Sequence, residues 1–319
     1  MALRLVFCGT PDFALPSLKR LIADPAFDVV AAITQPDRAR GRGEVISASP
    51  VKQLALARGL QVFQPEKITS EAAFEFFEQL HPDAVVIIAY GQFIPQRMID
   101  LPRLGWVNLH ASLLPKYRGA APINWAIING ERETGLTTMH VSAAMDTGPI
   151  LMQLKINIGD GELASQLAQR MAEAGAPLVA DTLAALEGRQ ITPQPQDNTQ
   201  ATRAPLLKKQ DGLIDWNLTA QQIYNRIRGL DPWPGAFTYF RGQLCHLWGM
   251  PVDAPSVAAN GGPSAIVKHG DNLLVACGEN TWMRLSELKL EGRRRVTSRE
   301  FENGAHLPEG ESFSSSPIL

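Results

Sequence analysis

"SEAAFEFFEQLHPDAVVIIAYGQFIP", residues 70–95, holds both halves of one architectural decision. Its first part, "SEAAFEFFEQL" (70–80), reads as a helix. Ser70 can accept from the free amides of the first turn, and an acid behind it suits that positive end. The second part, "AVVIIAY" (84–90), is an unbroken apolar run rich in Val and Ile. A strand of that kind is buried on both faces, as in parallel sheets covered by helices.

The same alternation repeats on either side. Strands are expected at "RLVFC" (4–8), "DVVAAIT" (28–34), "GWVNLH" (105–110) and "GLTTMHV" (135–141), and helices at "LPSLKRLIA" (15–23) and "SPVKQLALARG" (49–59). A doubly wound, mostly parallel α/β sheet of Rossmann-like type is the expected fold, and such sheets bind ligands at the carboxyl ends of their strands. A long helical pattern follows at 162–188, with Gly175 and Pro177 as possible kink points. The stretch 189–205 is rich in Pro, Gln and Thr and is expected to be a linker.

Beyond it the style changes. A helix, "TAQQIYNRIRGL" (219–230), precedes short β-like runs at 236–240, 243–250, 264–270, 272–278 and 282–288. Short strands separated by Gly-containing turns suggest a small barrel, with an OB-like one leading. The expected organisation is therefore a catalytic domain over 1–188, a linker over 189–207 and a β-barrel over 208–319. The tail "EGESFSSSPIL" (309–319) is expected to be loose, apart from docking of its last apolar residues.

The chain has 319 residues, 45% hydrophobic and 19% charged, with a formal net charge of −2. This suits a soluble protein and argues against a wholesale electrostatic grip on nucleic acid, leaving room for local basic patches. Cys8, Cys245 and Cys277 are too widely spaced for a zinc site or a disulfide framework, so reduced thiols and a cytoplasmic location are expected, with no metal. The first strand is followed by a single glycine. The fingerprint that brings a pyrophosphate to a helix end needs more, so NAD is rejected.

Asn108 and His110, two apart at the end of a predicted strand, project to one side. Asp146, in "MDTGPI" just past the next strand, is either a turn residue or a carboxylate brought to His110 by a neighbouring parallel strand. Were the three to meet, an amide donor beside an imidazolium would anchor an oxyanion, and a nearby carboxylate should raise the imidazole pKa. That chemistry suits acyl or formyl transfer. Ser112 sits in a Leu-Leu-Pro turn and there is no GxSxG elbow, so no covalent nucleophile is required.

"NLHASLLPKYRGAAPINWAI" (108–127) resembles the signature of the folate-dependent formyltransferases, and "MDTGPIL" (145–151) is similar to the same family's second motif. "FCGTPDFALPSL", "TQPDRARGRG", "SPVKQLA", "IAYGQFIP", "DGLIDWN" and "IRGLDPWPGA" look, in order, like the members of that family that act on methionyl-tRNA. The resemblance implies 10-formyltetrahydrofolate as formyl donor and the α-amino group of initiator methionyl-tRNA as acceptor. It implies Asn108 and His110 as oxyanion donors, with Asp146 holding His110. It further implies a folate pocket lined by Ile88, Ala89, Tyr90 and Gly91 with Ser112, Leu113, Leu114 and Pro115. The apolar members of that set are equally good core residues.

Arg38, Arg40 and Arg42 lie around Gly41 and Gly43 in the stretch after the second strand. They are either a solvated loop or phosphate contacts. In the resembling family this loop touches the tRNA acceptor end, and Arg42 matches an arginine used there. This chain departs from that family's common pattern in having Glu44 and Val45 where lysines are common, which implies a shallower salt dependence. Lys208 and Lys209, and the run Arg293, Arg294, Arg295 and Arg299, are further basic points suited to RNA backbone. Two other readings stay open: an amino-sugar nucleotide or water as acceptor, and an RNA-binding protein without turnover. A monomer is expected.

Overall fold

The computed structural model describes residues 1–40, 45–255 and 262–317, with backbone alone at Ala39, Arg40, Val45 and Ile46. It divides into two compact units: Met1–Pro122, Glu133–Asn157 and Gln166–Pro205 in one, and Ile123–Arg132, Ile158–Ser165 and Leu206–Leu319 in the other.

Along the chain the first strands are β1 (Leu3–Gly9), β2 (Phe27–Ile33), β3 (Arg38–Arg40), β4 (Val45–Ser47) and β5 (Gln61–Phe63). They are followed by β6 (Ala84–Ile88), β7 (Trp106–His110), β8 (Glu133–His140) and β9 (Ile150–Asn157). Helices α1 (Leu15–Ala23), α2 (Pro50–Ala57), α3 (Glu71–Leu80), α4 (Gln96–Ile99), α5 (Pro122–Ile128) and α6 (Ala164–Glu187) lie between and after them. The first unit is built on a seven-stranded sheet in the order β5-β2-β1-β6-β7-β8-β9, while β3 and β4 form a separate hairpin.

The sheet is parallel from β5 through β7. On one face, Val6, Cys8, Ala31, Ile33, Val85, Ile87 and Trp106 form a core with Ala73 and Phe77 of α3 and Met98 of α4. The opposite-facing Val86 and Ile88 are also fully buried, which explains the unalternating apolar run. Ser70 caps α3 by accepting from the Ala73 amide at 3.2 Å, as the sequence suggests. β6 stops two residues earlier than expected because Ala89 turns left-handed at φ 49°.

One expectation needs correction. β8 runs antiparallel to β7, with Val107 opposite His140 and His110 opposite Thr137, and β9 is antiparallel to β8. α6 runs through Gly175 and Pro177 as one helix. Its Gly175 accommodates Leu109 of β7, whose Cδ2 would lie 2.6 Å from any added Cβ. Leu109 therefore faces α6, and by strand alternation Asn108 and His110 face the other way.

The stretch 189–205, read as a linker, is stitched to the first unit. Gln194 exchanges two backbone bonds with Ile150, both 2.8 Å, and Arg118 exchanges two with Thr202 and Ala204, at 2.9 and 2.7 Å. Polar composition suggested looseness, but here the backbone supplies the partners.

The second unit carries α7 (Ala220–Gly229) and a mainly antiparallel sheet of β10 (Phe237–Phe240), β11 (Gln243–Val252), β12 (Ile266–His269), β13 (Asn272–Ala276), β14 (Trp282–Leu290) and β15 (Val296–Thr297), followed by α8 (Ser298–Ala305). The order is β10-β11-β14-β13-β12, with β15 beside β14. This ladder leaves β10 and β12 as edges. The tail spans both edges: Ser314 bridges Tyr239, and Ser312 bridges Ala265. Phe313 is buried and stacks on Trp216 at 5.4 Å, so the tail is fastened at least to Ser314, contrary to the looseness expected of it. Among the described residues, no helix is long and apolar enough to cross a membrane.

Candidate active site

β7 ends with the pair that the sequence singled out. Asn108 is half-buried, and among the described residues its side-chain amide makes no hydrogen bond. His110 is 6% exposed, and its Nε2 meets the Tyr117 carbonyl at 2.9 Å. Its Nδ1 lies 3.7 Å from Asp146 Oδ2. Two acceptors thus face the ring, the Tyr117 carbonyl within hydrogen-bond distance and the Asp146 carboxylate beyond it.

Asp146 arrives by a different route from the one expected. Because β8 is antiparallel, it leaves the sheet opposite Val107, at the far end of β7 from His110. The β8–β9 loop therefore folds back along the sheet. Gly148 permits this: a Cβ there would sit 1.7 Å from the His140 carbonyl oxygen. Asp146 itself is left-handed, at φ 54°, and its carboxylate also accepts the Gly119 amide at 2.8 Å.

The turn after β7 is equally well determined. The Leu114–Pro115 bond is cis. Ser112 is fully buried and donates to the Lys116 carbonyl at 2.6 Å, so its hydroxyl closes the turn. Thr137 of β8 donates to the Ser112 carbonyl at 2.7 Å and accepts from the Leu114 amide at 3.1 Å. Gln153 of β9 donates to both the Leu114 carbonyl and the Thr137 hydroxyl, at 2.9 and 3.0 Å. Leu113 packs over Gly135 of β8, where its Cδ2 would be 2.4 Å from an added Cβ.

The other suggested pocket wall divides. Ile88 and Tyr90 turn into the core, whereas Ala89 and Gly91 are exposed, both left-handed, and offer main chain. Burial pushes the Tyr90 phenol and the Cys8 thiol upward, so both stay neutral at ordinary pH. Cys8 is therefore no nucleophile. Among the described residues, no group of three or more His, Cys, Asp and Glu is placed to hold a metal ion.

Of the basic residues, Arg38 is exposed at the start of the β3–β4 hairpin. The hairpin's base is pinned where Lys52 meets Asp37 at 2.5 Å and Gln64 donates to Asp37 at 2.8 Å. Arg42, Glu44 and the side chain of Arg40 lie outside the described residues. Lys208 and Lys209 are exposed at the start of a short turn in the second unit.

Thr137, Gln153, Gly119 and Arg118 were not singled out from sequence as supports of the site. Thr137 stands among other polar residues of β8, so nothing local marks it, and β9, which carries Gln153, was not foreseen. A second Asp146 support, Gln196, lies 50 residues away, and no local pattern announces it.

A formyl transferase family model matches residues 3–183, and a model described as formyl transferase, C-terminal domain, matches residues 206–306. This chain belongs to the formyl transferase family. Among its relatives in that family is the methionyl-tRNA formyltransferase of Solibacter usitatus, 51% identical over 312 residues and covering 98% of each chain. Another is the methionyl-tRNA formyltransferase of Caldanaerobacter subterraneus, 45% identical over 97% of this chain and 99% of its own. The formyl transferase fold is shared with a sugar 3N-formyl transferase whose crystal structure contains dTDP and 5-N-formyl-THF, at TM-score 0.65 and 15% identity, over 92% of this chain and 100% of that one. An N-formyltransferase from Helicobacter canadensis, in complex with folinic acid and dTDP-3-aminofucose, shares it at TM-score 0.62 and 15% identity, over 89% of this chain and 99% of its own.

Proposed function

We propose that this formyl transferase moves the formyl group of 10-formyltetrahydrofolate onto the α-amino group of initiator methionyl-tRNA. The observation that carries the chemistry is the end of β7, where the Asn108 amide, without a hydrogen bond among the described residues, projects beside a buried imidazole with a carboxylate at 3.7 Å. The near full-length relatives that bear the name methionyl-tRNA formyltransferase support the acceptor.

In this reading the amine nitrogen attacks the formyl carbon, and the carbonyl oxygen becomes an oxyanion. Asn108 donates to it from an uncharged amide, and His110 stabilises it from the ring. Asp146 holds that ring in place. The bond from the formyl carbon to the folate nitrogen then breaks. That nitrogen takes a proton, the amine loses one, and formyl-methionyl-tRNA and tetrahydrofolate remain. Removing one such donor typically costs about 3 kcal/mol of barrier, a hundredfold or more in rate. Main chain at Ala89 and Gly91, with the Ser112–Pro115 turn, would form the walls of the folate pocket.

Residues 1–188 carry this chemistry, and residues 208–319 hold tRNA through backbone contacts. Arg38, Arg40 and Arg42 would meet the acceptor end, and Lys208 and Lys209 its phosphates. The enzyme would work as a monomer in the cytoplasm, with translation.

The test is single-turnover formylation of methionyl-tRNA by the wild type and by His110→Ala. Formyl-methionyl-tRNA from the wild type, with at least about a hundredfold loss in the variant, supports the acceptor and the role of His110. An unchanged variant removes His110 from the mechanism. A wild type that binds folate but formylates only an amino-sugar nucleotide overturns the acceptor.

A further inference from the structure

The strap formed by residues 194–204 carries more than the chain's passage between units. Gln196 lies within it, and every hydrogen-bonding position of its side chain is engaged. Its Nε2 donates to the Asp146 carbonyl at 2.9 Å and to the Gly148 carbonyl at 2.7 Å. Its Oε1 accepts from Arg118 Nε at 3.1 Å and from Nη2 at 2.6 Å. A primary amide has two N–H donors and two acceptor lone pairs, so the side chain is saturated. Arg118 is steadied in turn by Asn198 Oδ1 at 2.9 Å.

The two segments so joined are the two that build the site. Arg118 belongs to the turn after β7, whose Tyr117 carbonyl accepts from His110 and whose Gly119 amide holds the Asp146 carboxylate at 2.8 Å. Asp146 and Gly148 belong to the loop that folds back from β8. The carboxylate is thus gripped from the turn by Gly119, and its own main chain is gripped from the strap by Gln196. The left-handed backbone of Asp146 gives the second grip its purpose. A non-glycine residue in that region is strained and persists only where its surroundings over-determine it.

We propose that Gln196 is a positioning residue for formyl transfer, acting by fixing the Asp146 loop against the Arg118 turn. The proposal rests on Asp146 as the carboxylate that serves His110. It assigns the strap a part in the reaction's geometry, through a residue that touches no reacting atom.

Gln196→Glu separates the two halves of the contact. An ionised Glu keeps an acceptor for Arg118 but sets oxygens against the Asp146 and Gly148 carbonyls. Single-turnover rates at saturating folate and methionyl-tRNA are to be compared for wild type, Q196E, D146A and D146A/Q196E. A displaced catalytic group costs roughly ten- to hundredfold, so Q196E is expected to slow the chemical step by that much with apparent substrate affinities unchanged. In the D146A background it should cost almost nothing more, since residues that act as one unit are not additive. A wild-type rate for Q196E beside a slowed D146A overturns the proposal alone. So does a loss in Q196E that is equally large with Asp146 absent, which marks a general structural role. D146A at the wild-type rate overturns the reading of Asp146 and the proposal with it. Should Q196E not fold, Gln196→Asn, an amide one methylene short, takes its place in the same cycle.

Discussion

One oxygen of Asp146 accepts the Gly119 amide at 2.8 Å and stands 3.7 Å from His110 Nδ1. The first distance is a hydrogen bond; the second is beyond one, so in the proposed reading the carboxylate reaches the ring by its charge and not by a hydrogen bond. Catalytic hydrogen bonds are often long before substrate binds and tighten in the reacting complex. Asp146→Asn keeps an oxygen for Gly119 and removes the charge, whereas Asp146→Ala removes both. We expect D146N to slow single-turnover formylation by roughly a hundredfold, the lower end for a positioned acid–base group, and D146A to slow it further. Equal rates for D146N and wild type would remove the charge from the mechanism.

Asn108 offers a cleaner separation of catalysis from stability. Its amide makes no protein hydrogen bond among the described residues, so Asn108→Ala forfeits nothing in the folded chain beyond its packing. The expected result is a fall in kcat of about a hundredfold or more, with KM for folate and the urea midpoint little changed. A variant that loses affinity and keeps kcat would instead place Asn108 in ground-state binding.

Thr137→Val tests the turn that shapes the suggested folate wall. The swap keeps shape but leaves the Ser112 carbonyl without its donor and the Leu114 amide without its acceptor. Buried polar groups left unpaired cost about 1–3 kcal/mol each. Urea denaturation should report a loss of that order, and KM for folate should rise as the turn loosens. Thr137→Ser, which restores the hydroxyl, should recover most of both. If Thr137→Ser stays as impaired as Thr137→Val, the methyl group matters and the hydroxyl network does not.

These contacts mark where the sequence was readable. The parallel strands were legible because β6 must be apolar on both faces, and the Asn108–His110 pair because alternation fixes which side chains share a side. Two things were not legible. The antiparallel turn of β8 depends on which edge of β7 is free, a matter of global packing, so Asp146 reached His110 by a path that local reasoning did not foresee. The stretch 189–205 reads as a linker because its side chains are polar and few are apolar. Gln196 and Thr202 are polar because their side chains spend hydrogen bonds on the site. A polar segment is loose only when its partners are water, and spacing along the chain does not reveal partners 50 to 85 residues away.

His140 ties acid stability to the same sheet. Burial holds its imidazole below the ordinary value of 6.5, against a smaller opposing effect of its bond with Trp106. The folded chain therefore binds fewer protons here than the unfolded chain does. Stability rises with pH wherever the unfolded state binds more protons. The contribution of His140 is complete above 6.5 and is lost as pH falls below it. His246, depressed chiefly by burial, adds the same sign in the second unit. Urea midpoints at pH 7.5 and 5.5 should draw closer together in His140→Gln than in the wild type. A gap that is unchanged in H140Q assigns the acid sensitivity to other groups.

Arg38 decides whether the β3–β4 hairpin is a phosphate contact or a solvated surface. The side chain is exposed, and the hairpin's base is held by the Asp37–Lys52 pair and by Gln64. A cation that neutralises one phosphate releases counterions. Its loss should lower the slope of log affinity against log salt by about 0.9 for duplex or 0.7 for single-stranded RNA-like ends. Arg38→Ala is therefore expected to weaken methionyl-tRNA binding at low salt, with the difference shrinking as salt rises. Single-turnover formylation at saturating tRNA should keep its rate, because in this reading the residue pairs with a phosphate and touches no reacting atom. Binding isotherms across a salt series check both points together. A parallel displacement of the two salt lines would mean that Arg38 acts through a contact other than phosphate neutralisation. Coincident lines would leave it as surface charge, with the grip on tRNA falling to other basic residues.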